Sequence, residues 1–327
     1  MDAQNIAILG PGSIIGSSAI VGRVERTTQR RLPALFEFNN CNQLNVADLS
    51  VKNFGMWAIH PVYCSNVSFR NVTINSGADG IDVDSCKHVV IENCNFTTAD
   101  DCISLKSGRG LEANTLMRTT VDVRISGCTF NDSNFACIGI GSETSGGIRN
   151  VHITHCKFTG AKSFAIYIKS RPGRGAFIRD IFCDDLDVAN MQQGFLRFNI
   201  LNSGKQDEFP VPGLAGIPST SNFRFTNIRV TGVPILVDGG AVHPQKPLDG
   251  LTLANITGTC ARSIVLANVR HADLRAIHVT GFTGPLLSTH NVTGTGLAAA
   301  VPFDPLTVKA YAVPDPIPQP ATPYQLH

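Results

Sequence analysis

The chain has 327 residues, of which 43% are hydrophobic and only 16% charged, with a formal net charge of +2. That balance argues against a nucleic-acid protein, since no window gathers Lys and Arg among aromatics, and no apolar run reaches the roughly 18–20 residues of a membrane-spanning helix. Thirty glycines with abundant Asn, Thr and β-branched residues favour strands and tight turns, so an all-β protein is expected.

The opening MDAQNIAILG lacks the basic start and long apolar stretch of a signal peptide, which leaves localisation undecided between a retained chain and one whose leader was removed. Beyond it the template apolar, x, apolar, x, x, apolar, x, apolar recurs in order. Residues 44–51 read LNVADLSV, 67–74 VSFRNVTI, 89–96 VVIENCNF, 123–130 VRISGCTF and 151–158 VHITHCKF. The copies continue as 181–188 IFCDDLDV, 223–230 FRFTNIRV, 251–258 LTLANITG and 272–279 ADLRAIHV. Starts fall as little as 21 residues apart, the length of one solenoid coil, and any excess is loop. Two short strands meet at the x-x bend and a third precedes the next copy, which predicts a parallel β-helix of about ten coils. The bend often holds Asn or Gly (Asn71, Asn93, Gly127, Asn227, Asn255), residues that tolerate a left-handed backbone.

Residues 1–310 are therefore expected to form one β-helical domain. The excess at 189–222 should be a loop between coils, and the Pro-rich 311–327 an extended tail. The ten cysteines include no CxxC pair, and Cys94, Cys128 and Cys156 share one template position, so most are expected to be buried thiols. His152, His155 and Cys156 lack a metal-ligand arrangement and are assigned structural roles.

In such a stack, equal offsets from the coil start become neighbours about 4.8 Å apart. Asp79 lies 12 residues after Val67 and Asp101 lies 12 after Val89, with Asp100 beside it. Asp82 falls against Ser104, and Asp84 against Lys106 as an expected ion pair. No cation shares the offset of Asp79, Asp100 and Asp101 in these two coils, so at least one carboxyl should have a raised pKa. Geometry alone leaves two readings of the trio open: turn-capping or calcium-binding aspartates, or a carboxylate cluster that cleaves a glycosidic bond.

GADGID (77–82), ADDCISLKSG (99–108), IGIGSETSGGIRNV (138–151) and YIKSRPGRGAFIRDI (167–181) together resemble the glycoside hydrolases of family 28, the polygalacturonase-like enzymes. The resemblance runs from NIAILGPGSIIG (5–16) to about residue 290. It implies a right-handed parallel β-helix that hydrolyses pectic α-glycosidic bonds with inversion, without a metal or other cofactor. By motif, Asp79 takes the place of the aspartate in the family's NTD, and Asp100 and Asp101 take its DD pair. The resemblance implies Asp100 as general acid, with Asp79 and Asp101 holding and deprotonating the water. It also implies an acid-to-base separation of about 6.5–9.5 Å.

Three positions depart from the family pattern. Gly77 stands where NTD has Asn, Ala136 where GHG has His, and Tyr167 where RIK has Arg; Lys169 keeps the RIK lysine. A guanidinium fork suits a sugar carboxylate and a Tyr ring suits stacking, so a changed subsite follows. Tyr167, Lys169, Arg171, Arg174 and His60 are the expected substrate contacts, with Lys106 and Arg109 near the same face and Trp57 as core or groove wall. The expected partner is an oligo- or polysaccharide. The competing readings are a glycan-binding β-helix that has lost catalysis and a polysaccharide lyase on the same fold. The first coil is expected to need cover, by self-association or otherwise.

Overall fold

The computed structural model describes residues 1–22, 24 and 32–305. Among them 23 strands join one continuous sheet whose strand pairings are parallel, from Gln4–Leu9 to Val301–Pro302. The expected tail at 311–327 lies outside the described residues.

The template is the cause of the architecture. Its first apolar residues, Leu44, Val67, Val89, Val123, Val151, Ile181, Phe223 and Leu251, are successive register partners. All are buried, because alternate side chains of a strand point to one face and here that face is the inside of the coil. The ninth copy shares the continuous strand Leu248–Thr280 with the eighth. At the bend all nine copies have a left-handed backbone: Asp48, Asn71, Asn93, Gly127, His155, Asp185, Asn227, Asn255 and Ala276 have φ between 50° and 61°. At Gly127 this turn comes with a close neighbour, since a Cβ would lie 2.3 Å from Asn93 Oδ1. His155 is thus a bend residue, 3.6 Å from Asp185 in the next rung.

Inside, like side chains stack. Phe96, Phe130 and Phe158 have ring centroids 5.3 and 4.7 Å apart, and each contributes roughly 1.5–3 kcal/mol by full burial. The ten cysteines are free and buried, as expected. At the first rung Leu9 and Ile15 are exposed.

The expected loop at 189–222 needs correction. Gly194–Asn199 is a strand of the third face, paired with Phe164–Lys169, and Ser219 starts the next long strand. FLRFN alternates like its neighbours but lies outside the eight-residue template, so the template alone does not mark it as a strand. The true excursion, 200–218, leaves the end of that third-face strand and lies against the α-helix Gly110–Leu116, where Leu111 N–H donates to Phe209 O at 2.8 Å.

Candidate active site

The third face carries the chemistry. Strands Ile81–Asp84 and Ile103–Lys106 pair as Ile81 with Ile103, Asp82 with Ser104 and Asp84 with Lys106. Each is entered by a turn from the preceding strand. In the lower turn Ser76 Oγ donates to Asp79 O at 2.8 Å; in the upper, Thr98 Oγ1 and Ser133 Oγ both donate to Asp100 O, at 2.5 and 2.7 Å. Gly80 N–H donates to Asp101 O at 3.0 Å, so the two turns are bonded to each other. Asp79 and Asp101 are buried, Asp100 less so, and one oxygen from each of the three lies within 4.8 Å of the others.

Two ammonium groups steady this charge. Lys169 Nζ is 2.5 Å from Asp101 Oδ2, which also accepts from Ser104 Oγ at 2.9 Å, while Asp101 Oδ1 accepts from Ala136 N–H at 3.2 Å. Lys106 Nζ is 2.5 Å from Asp82 Oδ2 and 3.4 Å from Asp79 Oδ2. Each ammonium also lies over a ring, Lys106 over Trp57 at 4.2 Å and Lys169 over Phe135 at 4.8 Å. The trio's oxygens are close enough to ligate a cation, but ammonium groups already compensate Asp101 and Asp79, which weakens the calcium reading.

The expected Lys106–Asp84 ion pair is not formed, although the Cα register is as expected. Asp84 Oδ1 instead accepts from Ser85 Oγ at 2.8 Å and Gly108 N–H at 3.0 Å. Asp82, wholly buried, takes the cation. Burial pushes the Asp82 carboxyl well up against the pull of Lys106, and the nearby Asp79 charge adds to the rise. Burial raises Asp84 too. Burial also works against the Lys106 charge, but Asp82, Asp79 and Glu143 outweigh it and hold the lysine above its usual range.

Gly139 makes the Lys169–Asp101 contact possible. It pairs with Ser104 below and Tyr167 above, and a Cβ there would lie 2.3 Å from Asp101 Oδ2 and 2.9 Å from Lys169 Cε. Gly139→Ala is expected to displace the ammonium and cost on the order of 10²-fold in kcat with the far-ultraviolet spectrum unchanged, checked by turnover and circular dichroism on the same preparation.

The carboxylates open into a groove with a cavity of about 390 Å³, lined also by Trp57, Phe135, Ser142, Glu143, Ser203 and Gly204. A neighbouring cavity of about 660 Å³ shares Trp57, Lys106, Glu143 and Gly204 and adds His60, Tyr63 and Arg109. Glu143, to which the sequence assigns no role, sits where the cavities meet. Burial opposes its ionisation, but Lys106, Arg174 and Lys169 hold its pKa down to about 2. A depressed carboxyl contributes stability that is present above its unfolded value near 4.3 and is lost as pH falls through about 2. Glu143→Gln is therefore expected to flatten the fall in urea midpoint across that acid window, and to cost on the order of 1–3 kcal/mol at neutral pH.

The remaining expected contacts divide. His60 is buried edge-on to Trp57, ring centroids 4.4 Å apart, on the wall of the larger cavity. Tyr167 is also buried, its hydroxyl accepting from Asn199 Nδ2 at 3.4 Å and its ring 5.7 Å from Phe135. Arg174, expected to touch substrate, is wholly buried with Nε 3.0 Å from Asp207 Oδ2 and Nη2 donating to Lys205 O at 2.9 Å. Arg109 meets the other oxygen of Asp207 at 2.9 Å, and Arg171 Nη1 donates to Gly204 O at 2.5 Å. These arginines pin the 200–218 excursion as one wall of the groove, because a buried guanidinium requires a carboxylate and the loop brings Asp207 to it.

A family model described as glycosyl hydrolases family 28 matches residues 2–202. A probable polygalacturonase of Vitis vinifera is 28% identical over 233 residues, covering 69% of this chain and 46% of that protein, and polygalacturonase-2 of Solanum lycopersicum is 28% identical over 182 residues, covering 52% and 37%. The chain spans about half the length of the curated relatives it matches. Among solved structures, an exopolygalacturonase from Thermotoga maritima superposes with a TM-score of 0.67 at 24% identity, covering 79% of this chain and 57% of that one. A family 28 exopolygalacturonase from Yersinia enterocolitica gives 0.64 at 15%, covering 89% and 59%. The chain has their right-handed parallel β-helix fold.

Proposed function

Because the chain belongs to glycosyl hydrolases family 28, we propose that it is a glycosidase that hydrolyses α-glycosidic bonds of pectic or related oligo- and polysaccharides. The observation that carries this reading is the meeting of Asp79, Asp100 and Asp101, one oxygen each within 4.8 Å, at two stacked turns on the floor of an open groove.

The three carboxylates take different roles because their surroundings differ. Asp79 and Asp101 each lie beside an ammonium, so a positive charge stands next to both carboxyl groups that would hold the water. One water donating to both, at ordinary hydrogen-bond lengths, spans oxygens of this separation. Asp100 is the least buried and delivers a proton to the glycosidic oxygen as the bond to the anomeric carbon breaks. The bridging water adds to that carbon and gives its proton to the Asp79–Asp101 pair, so one molecule of water is consumed per bond. Lys169 and Ser104 hold Asp101 in place, and Lys106 keeps the charge of Asp79 and Asp82 tolerable in the buried floor.

A double displacement, in which one carboxylate itself attacks the anomeric carbon, is the second reading, because the nearest oxygens of the trio lie within 4.8 Å of one another. Three facing carboxylates with a water-sized gap support the single displacement; the anomer formed first decides between them. Defined oligogalacturonides and neutral oligosaccharides, followed by reducing-end release, test the activity. Calorimetric binding without product would support the non-catalytic glycan binder instead, and an unsaturated product absorbing in the ultraviolet would support the lyase. The exposed Leu9 and Ile15 support self-association at the first rung, which sedimentation velocity tests.

A further inference from the structure

The groove has a charge puzzle. Its cations are committed: Lys169 to Asp101, Lys106 to Asp82 and Asp79, Arg174 and Arg109 to Asp207, and Arg171 to Gly204 O. One guanidinium on the same face is held differently. Arg197, in the strand Gly194–Asn199, is the register partner of Tyr167, which pairs with Gly139, which pairs with Ser104. It therefore stands three rungs from Ser104, about 14 Å along the axis at 4.8 Å per rung. The path is continuous: Asp101 meets Lys169, whose Nζ is 5.6 Å from the Tyr167 ring centre, and the Arg197 guanidinium lies 5.4 Å from that same ring and 5.6 Å from Phe164.

Among the described residues its one ion pair is weak in form. Asp238 Oδ2 is 3.4 Å from Nε, longer than the 2.7–2.9 Å of a good charge-assisted bond, and both side chains are about 30% exposed. No described residue takes the two terminal amino groups. A flat guanidinium braced on two rings, with its outer edge in solvent, is a receptor for a planar anion that accepts two parallel hydrogen bonds.

We propose that Arg197, braced by Tyr167 and Phe164, forms an anionic-sugar subsite that binds the carboxylate of a uronate unit a few sugars from the cleaved bond. The subsite rests on the pectic reading above and gives it a substrate class, a chain carrying free carboxylates. It also accounts for Tyr167: the position that resembles the family's arginine holds a ring, and the arginine stands one rung farther on. Asp238 is the internal competitor for the fork, so its removal frees the guanidinium.

The test measures dissociation constants by calorimetry in an Asp101→Asn background, which prevents turnover, for an oligogalacturonide and its fully methyl-esterified counterpart. Arg197→Ala is expected to weaken the charged ligand about tenfold or more and the ester less than twofold. Arg197→Lys, which keeps the charge without the fork, is expected to fall between. Asp238→Asn moves the other way and tightens the charged ligand, whereas a purely structural Arg197–Asp238 pair would make both substitutions weaken both ligands alike. Equal affinities in Arg197→Ala and its parent, with the protein folded by circular dichroism, would overturn the subsite. If the chain with Asp101 intact hydrolyses the oligogalacturonide in that case, the function above stands alone. If it binds the charged ligand through Arg197 but hydrolyses neither, the subsite stands and the hydrolase reading falls. Binding of neither ligand overturns both.

Discussion

Asp101→Asn is expected to lower kcat on an oligogalacturonide by about 10²–10⁴-fold, the range for removing a general base, while KM changes little. The substitution keeps the shape of the side chain and one oxygen to accept from the Ala136 N–H, but the amide can no longer compensate the Lys169 ammonium 2.5 Å away or take the proton of water. Stability is expected to fall as well, because Lys169 becomes a buried cation without its carboxylate. Turnover and thermal unfolding must therefore be measured together: a folded protein with lost turnover is the expected result, and full activity in folded Asp101→Asn would remove this residue from the reaction.

The largest loss of stability is expected from Lys106→Met. Methionine fills much of the same space beside Trp57 but leaves Asp82, wholly buried, and Asp79 without their ammonium. Breaking one side of a buried pair costs about 3–5 kcal/mol, read as a fall in the urea midpoint. The pH dependence has a definite sign. Asp82 already has a raised pKa and loses the partner that lowers it, so its folded value lies above its unfolded one. Such a group favours folding at low pH and loses that contribution as pH rises, so the deficit of Lys106→Met should shrink on acidification. Lys106→Met combined with Asp82→Asn should recover much of the loss at neutral pH. A deficit independent of pH, unrepaired by the double substitution, would mean that packing rather than charge is the cause.

The coil was legible because a solenoid converts sequence spacing into distance. Nine copies of one template share a left-handed bend, and the register placing Asp79 beside Asp101 follows from a count of residues. The same arithmetic stops at Cα positions. It set Lys106 opposite Asp84 correctly, but a lysine is long enough to lean along its strand, and the deeper carboxylate without neutral donors took it. The cation beside Asp101 comes from outside the two coils that hold the carboxylates. Lys169 lies at the level of Tyr167, two pairings above Ser104, and its side chain crosses back over the gap left by Gly139. Arg197 lies 16 residues after Ile181, as Tyr167 does after Val151, but inside the stretch 189–222 that is expected to be loop. Arg174 and Asp207 are far apart in sequence and meet only through the fold of an irregular excursion, so no periodicity marks that pair. Glu143 left no repeat signal either, and its depressed pKa comes from three cations on other segments.

In the proposed reaction, water held by Asp79 and Asp101 attacks the anomeric carbon directly while Asp100 protonates the leaving oxygen. Proton NMR of an α-linked oligogalacturonide during its first turnovers tests this most directly. The β anomer is expected to form first and equilibrate to α, and Asp101→Asn is expected to suppress both signals together. First appearance of the α anomer would contradict it and favour the double displacement suggested by the close carboxylates.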